Sequence, residues 1–286
     1  MTGQDVEAGL RPLADGDLVL LVDHKKRRYL VRLATGSEFQ THAGVVPHDE
    51  LIGRPEGTNV ASTRGQKFTA YRPTLSDYIL TMPRGAQVIY PKDIGPILML
   101  ADIGPGCRVF ESGVGSGALS MGLLRAGAHI VGYELRDDFA SRAAKNVTEF
   151  LGPGVLDRYD VHIRDSYEGL AHGGFDRAVL DLPEPWQVVP HLAESLRPGG
   201  IVVSYSPSII QVTRMREALD RAGFAEASTM EVLNRSWHID GPAVRPDHRM
   251  VAHTGFLTRA RRPAPRPPGD PGGGPGGCHQ PGPPVP

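Results

Sequence analysis

The chain has 286 residues, of which 40% are hydrophobic and 22% charged; its formal net charge is −1 at pH 7, and this length allows one large or two modest domains. The nearly neutral charge gives no overall attraction to nucleic acid, so any RNA contact must come from local patches or from several subunits. No apolar run reaches the roughly 20 residues that span a bilayer, and Asp5 and Glu7 do not fit a signal peptide, so we predict a cytoplasmic protein without a membrane partner.

Short strands dominate the first part of the chain, and we predict a small N-terminal β domain over residues 1–74. The apolar runs from Leu18 to Val22 and from Tyr29 to Leu33 alternate with turn-forming clusters, which is typical of β-hairpins. The segment from Asp23 to Arg28 joins these two runs and is basic. A phosphate contact and an ordinary solvated turn are equally consistent with it.

From about Leu75 the pattern changes to an alternation of strands and helices, which predicts a parallel sheet. Strands are predicted over 108–111, 130–134, 161–165, 177–182 and 201–205. Helices are predicted after Asp93, before Ala126, and over 137–150, 188–196 and 209–222. Two further runs, 225–233 and 250–260, have only a loop between them and are predicted to pair antiparallel. The prediction is an α/β fold with a seven-stranded Rossmann-like sheet over residues 75–262.

The last segment, residues 263–286, contains ten prolines and seven glycines and has no apolar periodicity. Burial cannot offset the entropy cost of ordering such a segment, so we predict a disordered tail. Cys278 lies in this tail, far in sequence from the other cysteine, Cys107. Two cysteines so placed indicate free thiols rather than a disulfide framework or a metal site.

A glycine-rich turn follows the first predicted strand of the sheet and precedes a helix. Glycines let the backbone take positive φ and approach a ligand closely, and the helix start offers free N–H groups. The spacing fits both a dinucleotide site and an S-adenosylmethionine site. The cofactor-binding candidates here are Gly113, Gly115, Ser116, Gly117, Ala118 and Leu119.

Acidic residues end four successive predicted strands: Glu111, Glu134, Asp165 and Asp181. Ligands of open α/β sheets bind beyond the carboxyl ends of the strands, so all four are candidates for cofactor binding. Glu134 is suited to accept the ribose hydroxyls, although a carboxylate at a helix N-terminus is its ordinary alternative. Asp165 is suited to accept the adenine amino group, and a turn cap explains it equally well.

The segment from Asp181 to Trp186, with the sequence DLPEPW, places two prolines and an aromatic ring directly after a strand. Three other segments accompany it: YPKD at 90–93, YSP at 205–207 and HTGFL at 253–257. In this order they resemble the tRNA (adenine-N1)-methyltransferases that modify adenosine 58 of the T loop. The resemblance extends over residues 75–262, and the N-terminal β region is also similar to that family. Pro183 and Ala252 occupy positions at which family members vary.

The resemblance implies S-adenosylmethionine as methyl donor, tRNA as acceptor and a homotetramer. Methylation of adenine N1 places positive charge on the ring, and a carboxylate that accepts a hydrogen bond from N6–H stabilises that charge. We assign this catalytic role to Asp181, which also borders the cofactor, and Tyr90 is the second catalytic candidate because it can stack on the adenine. The sulfonium methyl is already activated, so the reaction needs no metal.

Several further residues have both a functional and a structural interpretation. Trp186 and Tyr205 either line the adenine pocket or pack in the core, and His253 is predicted to be structural. The segment 241–249 is predicted to be an irregular loop, with Arg245, His248 and Arg249 as RNA contacts or as ordinary solvated residues.

Three other functions remain to be compared with this one. A methyltransferase acting on a small molecule or a protein would share the loop and all four carboxylates. An NAD-linked oxidoreductase would have no use for the segment after Asp181. A tRNA-binding subunit with an inactive cofactor site would not be expected to retain Gly113, Gly115, Glu134 and Asp181.

Overall fold

The computed structural model describes residues 11–85, 87–250 and 252–265. Its N-terminal part forms a four-stranded antiparallel sheet of order β2-β1-β6-β5 and a separate hairpin of β3 and β4. The strands are β1 (Leu18–Asp23), β2 (Arg28–Arg32), β3 (Glu38–Thr41), β4 (Gly44–Pro47), β5 (Asn59–Ala61) and β6 (Lys67–Tyr71).

The buried side chains of this region form a core of their own, and β6 alternates exposed with buried or half-buried residues. Phe68 packs edge-on against Tyr29 and Phe39, with ring centroids 6.1 and 6.2 Å apart. The core is therefore organised around three aromatic rings contributed by different strands. Arg32 joins this region to the rest of the chain through an ion pair with Glu149, at 2.8 Å.

A seven-stranded sheet occupies the centre of the remaining chain, in the order β12-β15-β11-β10-β7-β8-β9. Five strands are parallel, and β15 pairs antiparallel with both β11 and β12. This is the predicted Rossmann-like sheet with its antiparallel end, and the fold class is confirmed. The strands are β7 (Arg108–Ser112), β8 (His129–Glu134), β9 (Tyr159–Ile163), β10 (Phe175–Leu180), β11 (Leu196–Ser206), β12 (Ala225–Glu231) and β15 (Phe256–Arg261).

Helices cover both faces of this sheet. They are α1 (Leu75–Thr81), α2 (Pro91–Leu100), α3 (Ala118–Arg125), α4 (Asp137–Leu151), α5 (Val189–Ser195) and α6 (Ile209–Arg221). Buried residues of α1 to α4 form one apolar cluster with the sheet, and buried residues of α5 and α6 form another on the opposite face. The result is a three-layer arrangement that fixes the carboxyl ends of the parallel strands along one edge.

Several elements differ from the expectations, and the strand predicted over 250–260 is β15, which begins only at Phe256. Helix α1 was not predicted, although Thr74 and Asp77 form a capping box in which the Asp77 N–H donates to Thr74 Oγ1 at 3.1 Å. The segment 241–249 is not an irregular loop, because β13 (Trp237–Asp240) and β14 (Ala243–Pro246) form a hairpin there. Its strands are mostly exposed, so the apolar pattern that marks a half-buried strand is missing.

The described residues contain no helix that is long and apolar enough to cross a membrane. Residues 1–10 and 266–286 lie outside the described part of the chain, so the predicted disordered tail is described only over 263–265. Cys278 lies outside it as well, and Cys107 carries a free thiol.

Candidate active site

The glycine-rich turn lies between β7 and α3, and all three of its glycines have positive φ: 84° at Gly113, 57° at Gly115 and 83° at Gly117. A Cβ atom on Gly113 would lie 2.0 Å from the carbonyl oxygen of Asp181, which no side chain can accommodate. A Cβ atom on Gly117 would meet the backbone of Ala143 at 3.2 Å. Two of the glycines therefore allow close packing of the turn against its neighbours.

Gly115 differs from the other two glycines of the turn. A Cβ atom added there would meet nothing within 4 Å, so its α-carbon faces open space. Its N–H donates to Glu134 Oε2 at 2.8 Å. The turn thus presents bare backbone to an empty volume beside a carboxylate, as close approach of a ligand requires.

Glu134 ends β8 and is 8% exposed. Its second oxygen, Oε1, accepts from the Arg136 N–H at 3.0 Å. Each carboxylate oxygen has a further lone pair, so both remain able to accept ribose hydroxyls while they hold the turn. The structure shows that Glu134 holds the backbone at Gly115 and Arg136, and its role toward ribose hydroxyls stays a prediction.

Glu111 is fully buried beneath the turn. The hydroxyl of Ser120 donates to its carboxylate, with oxygen–oxygen distances of 3.0 and 2.8 Å, and the Tyr159 hydroxyl donates to Ser120 Oγ at 3.1 Å. Burial raises the pKa of Glu111 to about 8, and the charges of Asp181 and Glu134 contribute to the increase. Sequence reasoning missed Ser120 and Tyr159, since no local motif marks them.

Ser116 has a buried hydroxyl that finds no hydrogen-bond partner among the described residues. Its carbonyl oxygen accepts from Asn146 Nδ2 at 2.9 Å, so the position of the residue is fixed by α4. A buried hydroxyl without a partner costs free energy unless a ligand satisfies it. The orphaned atom therefore marks the place where a polar group of a ligand fits.

Asp181 follows β10, and its backbone N–H continues the sheet by donating to the carbonyl of Ser112 at 2.9 Å. No hydrogen bond from the described residues reaches either oxygen of its side chain, which is partly accessible to solvent. Burial raises the pKa of Asp181 to about 7, with the negative charge of Glu134 as the second cause. This carboxylate is therefore available to a ligand and is stabilised by any positive charge that enters the site.

Asp165 lies two residues after the end of β9, rather than in the strand as predicted, because β9 begins and ends two residues earlier. It caps a short 3-10 helix by accepting from the Tyr167 N–H at 2.8 Å, which is the structural role considered for it. The residue also lines a cleft of about 560 Å³ at the ends of β8 and β9, together with Leu135, Arg164 and Leu170. The cleft therefore lies at the carboxyl ends of two parallel strands, where ligands of open α/β sheets bind.

Tyr90 precedes α2 and is half-buried at its N-terminus. The next residues anchor that end of the helix. Lys92 Nζ forms a buried ion pair with Asp93 at 2.8 Å, and Thr254 Oγ1 donates to the other oxygen of Asp93 at 2.7 Å. The Tyr205 hydroxyl then donates to the Thr254 carbonyl at 2.5 Å. Three of the segments that carried the family resemblance are therefore joined in one hydrogen-bonded network.

Tyr205 is 5% exposed and packs in the core, which is its structural interpretation. A Cβ atom on Gly255 would lie 2.5 Å from its ring, so the ring requires a glycine there. Trp186 is half-buried, and the Arg214 guanidinium lies 5.1 Å from the centre of its ring. His253 bonds Glu231 and the Pro207 carbonyl, at 2.7 and 2.8 Å, in agreement with a structural role.

The arrangement fits a cationic nucleoside better than a dinucleotide. Burial raises the pKa of Glu111 and of Asp181, and the negative charge of Glu134 adds to both increases, so the site favours a positive charge such as that of a sulfonium. The pyrophosphate of NAD would bring two further negative charges to the same place. The Ser116 hydroxyl without a partner and the open space at Gly115 are compatible with a bound ligand at this turn.

Comparison with known families gives two matches. Residues 69–242, more than half of the chain, match the family described as "tRNA methyltransferase complex GCD14 subunit". The chain belongs to this family. Residues 12–60 match the family described as "TrmI-like N-terminal". The family resemblance deduced from the sequence is thereby confirmed.

Relatives of this GCD14 family member include two characterised by name. The tRNA (adenine(58)-N(1))-methyltransferase TrmI of Thermus thermophilus is 36% identical over 248 residues, which is 85% of this chain and 96% of the relative. The tRNA (adenine(57)-N(1)/adenine(58)-N(1))-methyltransferase TrmI of Methanocaldococcus jannaschii is 34% identical over 270 residues, which is 85% of this chain and 94% of that protein.

Two solved structures share the fold of the GCD14 family member over nearly its whole length. A structure described as a SAM-dependent O-methyltransferase from Thermotoga maritima superimposes with a TM-score of 0.85 and 32% identity, covering 90% of this chain and 97% of its own. The tRNA (m1A58) methyltransferase TrmI of Aquifex aeolicus gives a TM-score of 0.78 with 30% identity, covering 89% and 100%.

Proposed function

We propose that this chain transfers the methyl group of S-adenosylmethionine to N1 of adenosine 58 in the T loop of tRNA. The observation that carries the proposal is Asp181, whose backbone packs against Gly113 of the glycine-rich turn and whose half-buried side chain receives no hydrogen bond from the described residues. Family membership and relatives named for this reaction support the choice of acceptor.

S-adenosylmethionine supplies an electrophilic methyl group on a positively charged sulfur. The chain's own residues provide position and charge. Ser116 and the backbone at Gly115 hold the polar end of the cofactor, Glu134 accepts the ribose hydroxyls, and the cleft beside Asp165 receives the adenine. The buried Glu111 carboxylate supports the turn by accepting a hydrogen bond from the Ser120 hydroxyl.

Asp181 acts on the acceptor base. Its carboxylate accepts a hydrogen bond from the N6 amino group of the target adenine, and this bond strengthens as positive charge develops on the ring during methylation. Tyr90 lies at the N-terminus of α2 and provides an aromatic face for the same base. The target adenosine must leave the folded T loop to reach this place, at an unstacking cost of a few kcal/mol.

The active form is proposed to be a cytoplasmic homotetramer. A single chain has a net charge of −1, whereas tRNA is a polyanion, and a tetramer would offer several basic surfaces to one tRNA. Large apolar side chains on the surface, such as Met99 at 82% exposure, support burial between copies. Light scattering at working concentration tests this, and a monomer would contradict it.

The function is tested by incubating the protein with methyl-labelled S-adenosylmethionine and unmodified tRNA transcripts, followed by digestion to nucleosides. Label is expected in 1-methyladenosine, and it is expected to disappear with Asp181→Ala or with a transcript in which adenosine 58 is replaced. Asp157→Ala is the matched control, because Asp157 is an exposed aspartate remote from the turn. Label that persists in the transcript without adenosine 58 would reject the proposed position.

A second candidate is a methyltransferase acting on a small molecule or a protein. It is favoured by one observation, the description of the Thermotoga maritima structure as an O-methyltransferase. The same experiment separates the two functions. Cofactor binding without any labelled tRNA would leave the fold and the cofactor site unchanged and would move the acceptor to another class.

A further inference from the structure

A cluster of metal-ligating side chains lies at the free edge of the central sheet. Asp160, His162 and His172 each offer one ligand atom, and these atoms all lie within 4.8 Å of one another. Asp160 and His162 are two residues apart on β9, so their side chains point to the same face of the sheet. His172 belongs to the loop that leads from β9 to β10.

The three side chains are already in contact. His162 Nε2 lies 2.9 Å from Asp160 Oδ2, and the rings of His162 and His172 are 4.6 Å apart at 33°. Ligands of a tetrahedral Zn²⁺ ion at about 2.0 to 2.2 Å lie somewhat more than 3 Å from one another. Small rotations of partly exposed side chains therefore bring all three to one ion, without movement of the strand.

Tyr133 supplies the outer partner that a metal-bound histidine requires. Its hydroxyl oxygen lies 3.0 Å from His172 Nδ1 and also accepts from the Ala171 N–H at 3.0 Å. A phenol oxygen has two lone pairs, so it can accept Nδ1–H of His172 as well. In that tautomer Nε2 of His172 carries a free lone pair for a metal ion. Tyr133 is 1% exposed, so this partner is rigid.

We propose that Asp160, His162 and His172 bind one divalent transition-metal ion of the Zn²⁺ type. Two imidazoles and one carboxylate match the donor set of such ions, whereas Mg²⁺ and Ca²⁺ prefer oxygen ligands alone. Solvent completes the coordination, because Asp160 is exposed. The site contains none of the residues assigned to methyl transfer and does not depend on the proposed function.

Metal binding at this place has a structural effect. The ion would join β9 to the loop that contains Asp165 and lines the cleft at the ends of β8 and β9. His162 and His172 are ten residues apart, so a bridge between them closes a short loop. The metal is thus a clamp on one wall of the cofactor cleft, and it stabilises the folded chain by mass action.

The test uses the full chain without an affinity tag, freed of metal by a chelator and titrated with Zn²⁺ against a chromophoric chelator. One Zn²⁺ per chain is expected, with affinity lowered about tenfold or more in His162→Ala and in His172→Ala. His129→Ala is the matched control, because His129 is an exposed histidine at the opposite end of neighbouring β8. Tyr133→Phe, which keeps the ring, is expected to lower Zn²⁺ affinity by about tenfold.

The melting temperature of each variant in chelator shows whether it is folded, and a fixed concentration of Zn²⁺ is expected to raise that temperature more in the wild type and in His129→Ala than in the other variants. We expect that Mg²⁺ does not displace Zn²⁺ from the site. Absence of stoichiometric Zn²⁺ binding by the wild type would overturn the proposal. Binding that is unchanged in both His162→Ala and His172→Ala would also overturn it, because the metal would then lie elsewhere.

Discussion

At the scale of single residues, the site contains two carboxyl groups, Glu111 and Asp181, whose pKa values are raised. Burial is the leading cause of the raised pKa of both Glu111 and Asp181, and Glu134 adds to both. A cation that enters the site lowers these pKa values again. Binding of a sulfonium is therefore linked to proton release, and the acidity of the site contributes to its selectivity for charge.

The activity of the enzyme is expected to depend on the ionisation of Asp181. The carboxylate is the reactive form and its pKa in the free protein is raised to about 7, so kcat/KM is expected to rise with pH up to about 7 and then to level off. Asp181→Asn is expected to lose this acidic limb and to lower kcat about 100-fold or more. Initial rates of tRNA methylation between pH 5.5 and 9 measure both effects.

Asp157→Asn is the control for this series and is expected to keep the wild-type profile. If Asp181→Asn shows the same acidic limb as the wild type, the titrating group is another residue and the assignment of Asp181 is wrong.

Glu111 is expected to make the stability of the protein depend on pH. Its pKa is about 8 in the folded chain and 4.5 as a reference, so the folded chain binds more protons between these values. The free energy of unfolding therefore falls as pH rises from about 4.5 to 8 and is flat above, by an amount on the order of a few kcal/mol. Glu111→Gln removes this dependence.

Urea unfolding at pH 6 and pH 9 measures the effect, and Glu111→Gln is expected to gain stability relative to wild type at pH 9. Glu217→Gln, an exposed helix position, serves as control and is expected to follow the wild type at both values. Parallel pH dependence of wild type and Glu111→Gln would show that Glu111 is ionised in the folded chain.

At the scale of elements, the glycines of the glycine-rich turn differ in their roles. Some of them are needed for close packing of the folded chain, and one of them leaves space for the ligand. Gly113→Ala forces a Cβ atom against the Asp181 carbonyl, and the expected loss is about 3 kcal/mol from overlap and positive φ together. Gly115→Ala has free space, so the expected loss is only about 1 kcal/mol. Its methyl group fills the open volume, and we expect the affinity for S-adenosylmethionine to fall strongly.

Urea unfolding and calorimetric titration with S-adenosylmethionine distinguish the two substitutions. Gly199→Ala is the matched control, since Gly199 has φ of 77° and open space around it but lies at the start of β11. It is expected to reproduce the stability change of Gly115→Ala with unchanged cofactor affinity. Equal cofactor affinity in Gly115→Ala and Gly199→Ala would show that Gly115 does not contact the cofactor.

The sequence alone predicted those elements that are apolar because they are buried and that are bounded by turn glycines. β7, β8 and β10 are apolar runs with an acidic residue within one position of their ends, and their order along the chain indicated a parallel sheet. β9 was displaced by two residues because only Tyr159 is buried in this edge strand and the other residues are exposed or half-buried, a weak pattern. The hairpin of β13 and β14 has hardly any buried face and gave no pattern at all.

The candidate site divides in the same way. The turn glycines and Glu134 are close in sequence and follow from a motif. The support of Glu111 by Ser120 and Tyr159 joins residues 39 positions apart, and the orphaned hydroxyl of Ser116 depends on how α4 packs. Contacts of this kind are consequences of the tertiary fold, so a single sequence does not contain a local signal for them.

At the scale of the whole molecule, a nearly neutral chain must bind a polyanion through local basic patches. In the turn after β1, Arg27 pairs with Asp23 and Arg28 pairs with Asp77, whereas Lys25 and Lys26 are exposed. The turn borders a concave surface that also contains Arg64 and Lys67. The two ion pairs hold the turn in place, and the exposed lysines remain for phosphate contacts.

The double substitution Lys25→Ala/Lys26→Ala is expected to weaken tRNA binding and to lower the slope of log K against log salt by about one unit per lost phosphate contact. Filter binding at several salt concentrations measures both quantities. Lys145→Ala, an exposed lysine on α4, is the control. An unchanged slope in the double variant would show that the two lysines of this turn do not contact phosphate.

Strand β15 is the last of the described strands along the chain, yet it lies inside the sheet between β11 and β12. Thr254, just before it, completes the network that fixes Asp93 beside Tyr90, and this contact spans 161 residues. During synthesis on the ribosome, the strands β7 to β9, which carry the candidate cofactor residues, therefore leave the ribosome before Thr254 can anchor Asp93 beside Tyr90. In the proposed assignment, the nascent chain therefore contains the residues that bind the methyl donor before it contains Thr254, which anchors the region that binds the acceptor base. We expect methyl transfer only after the final strand has been synthesised.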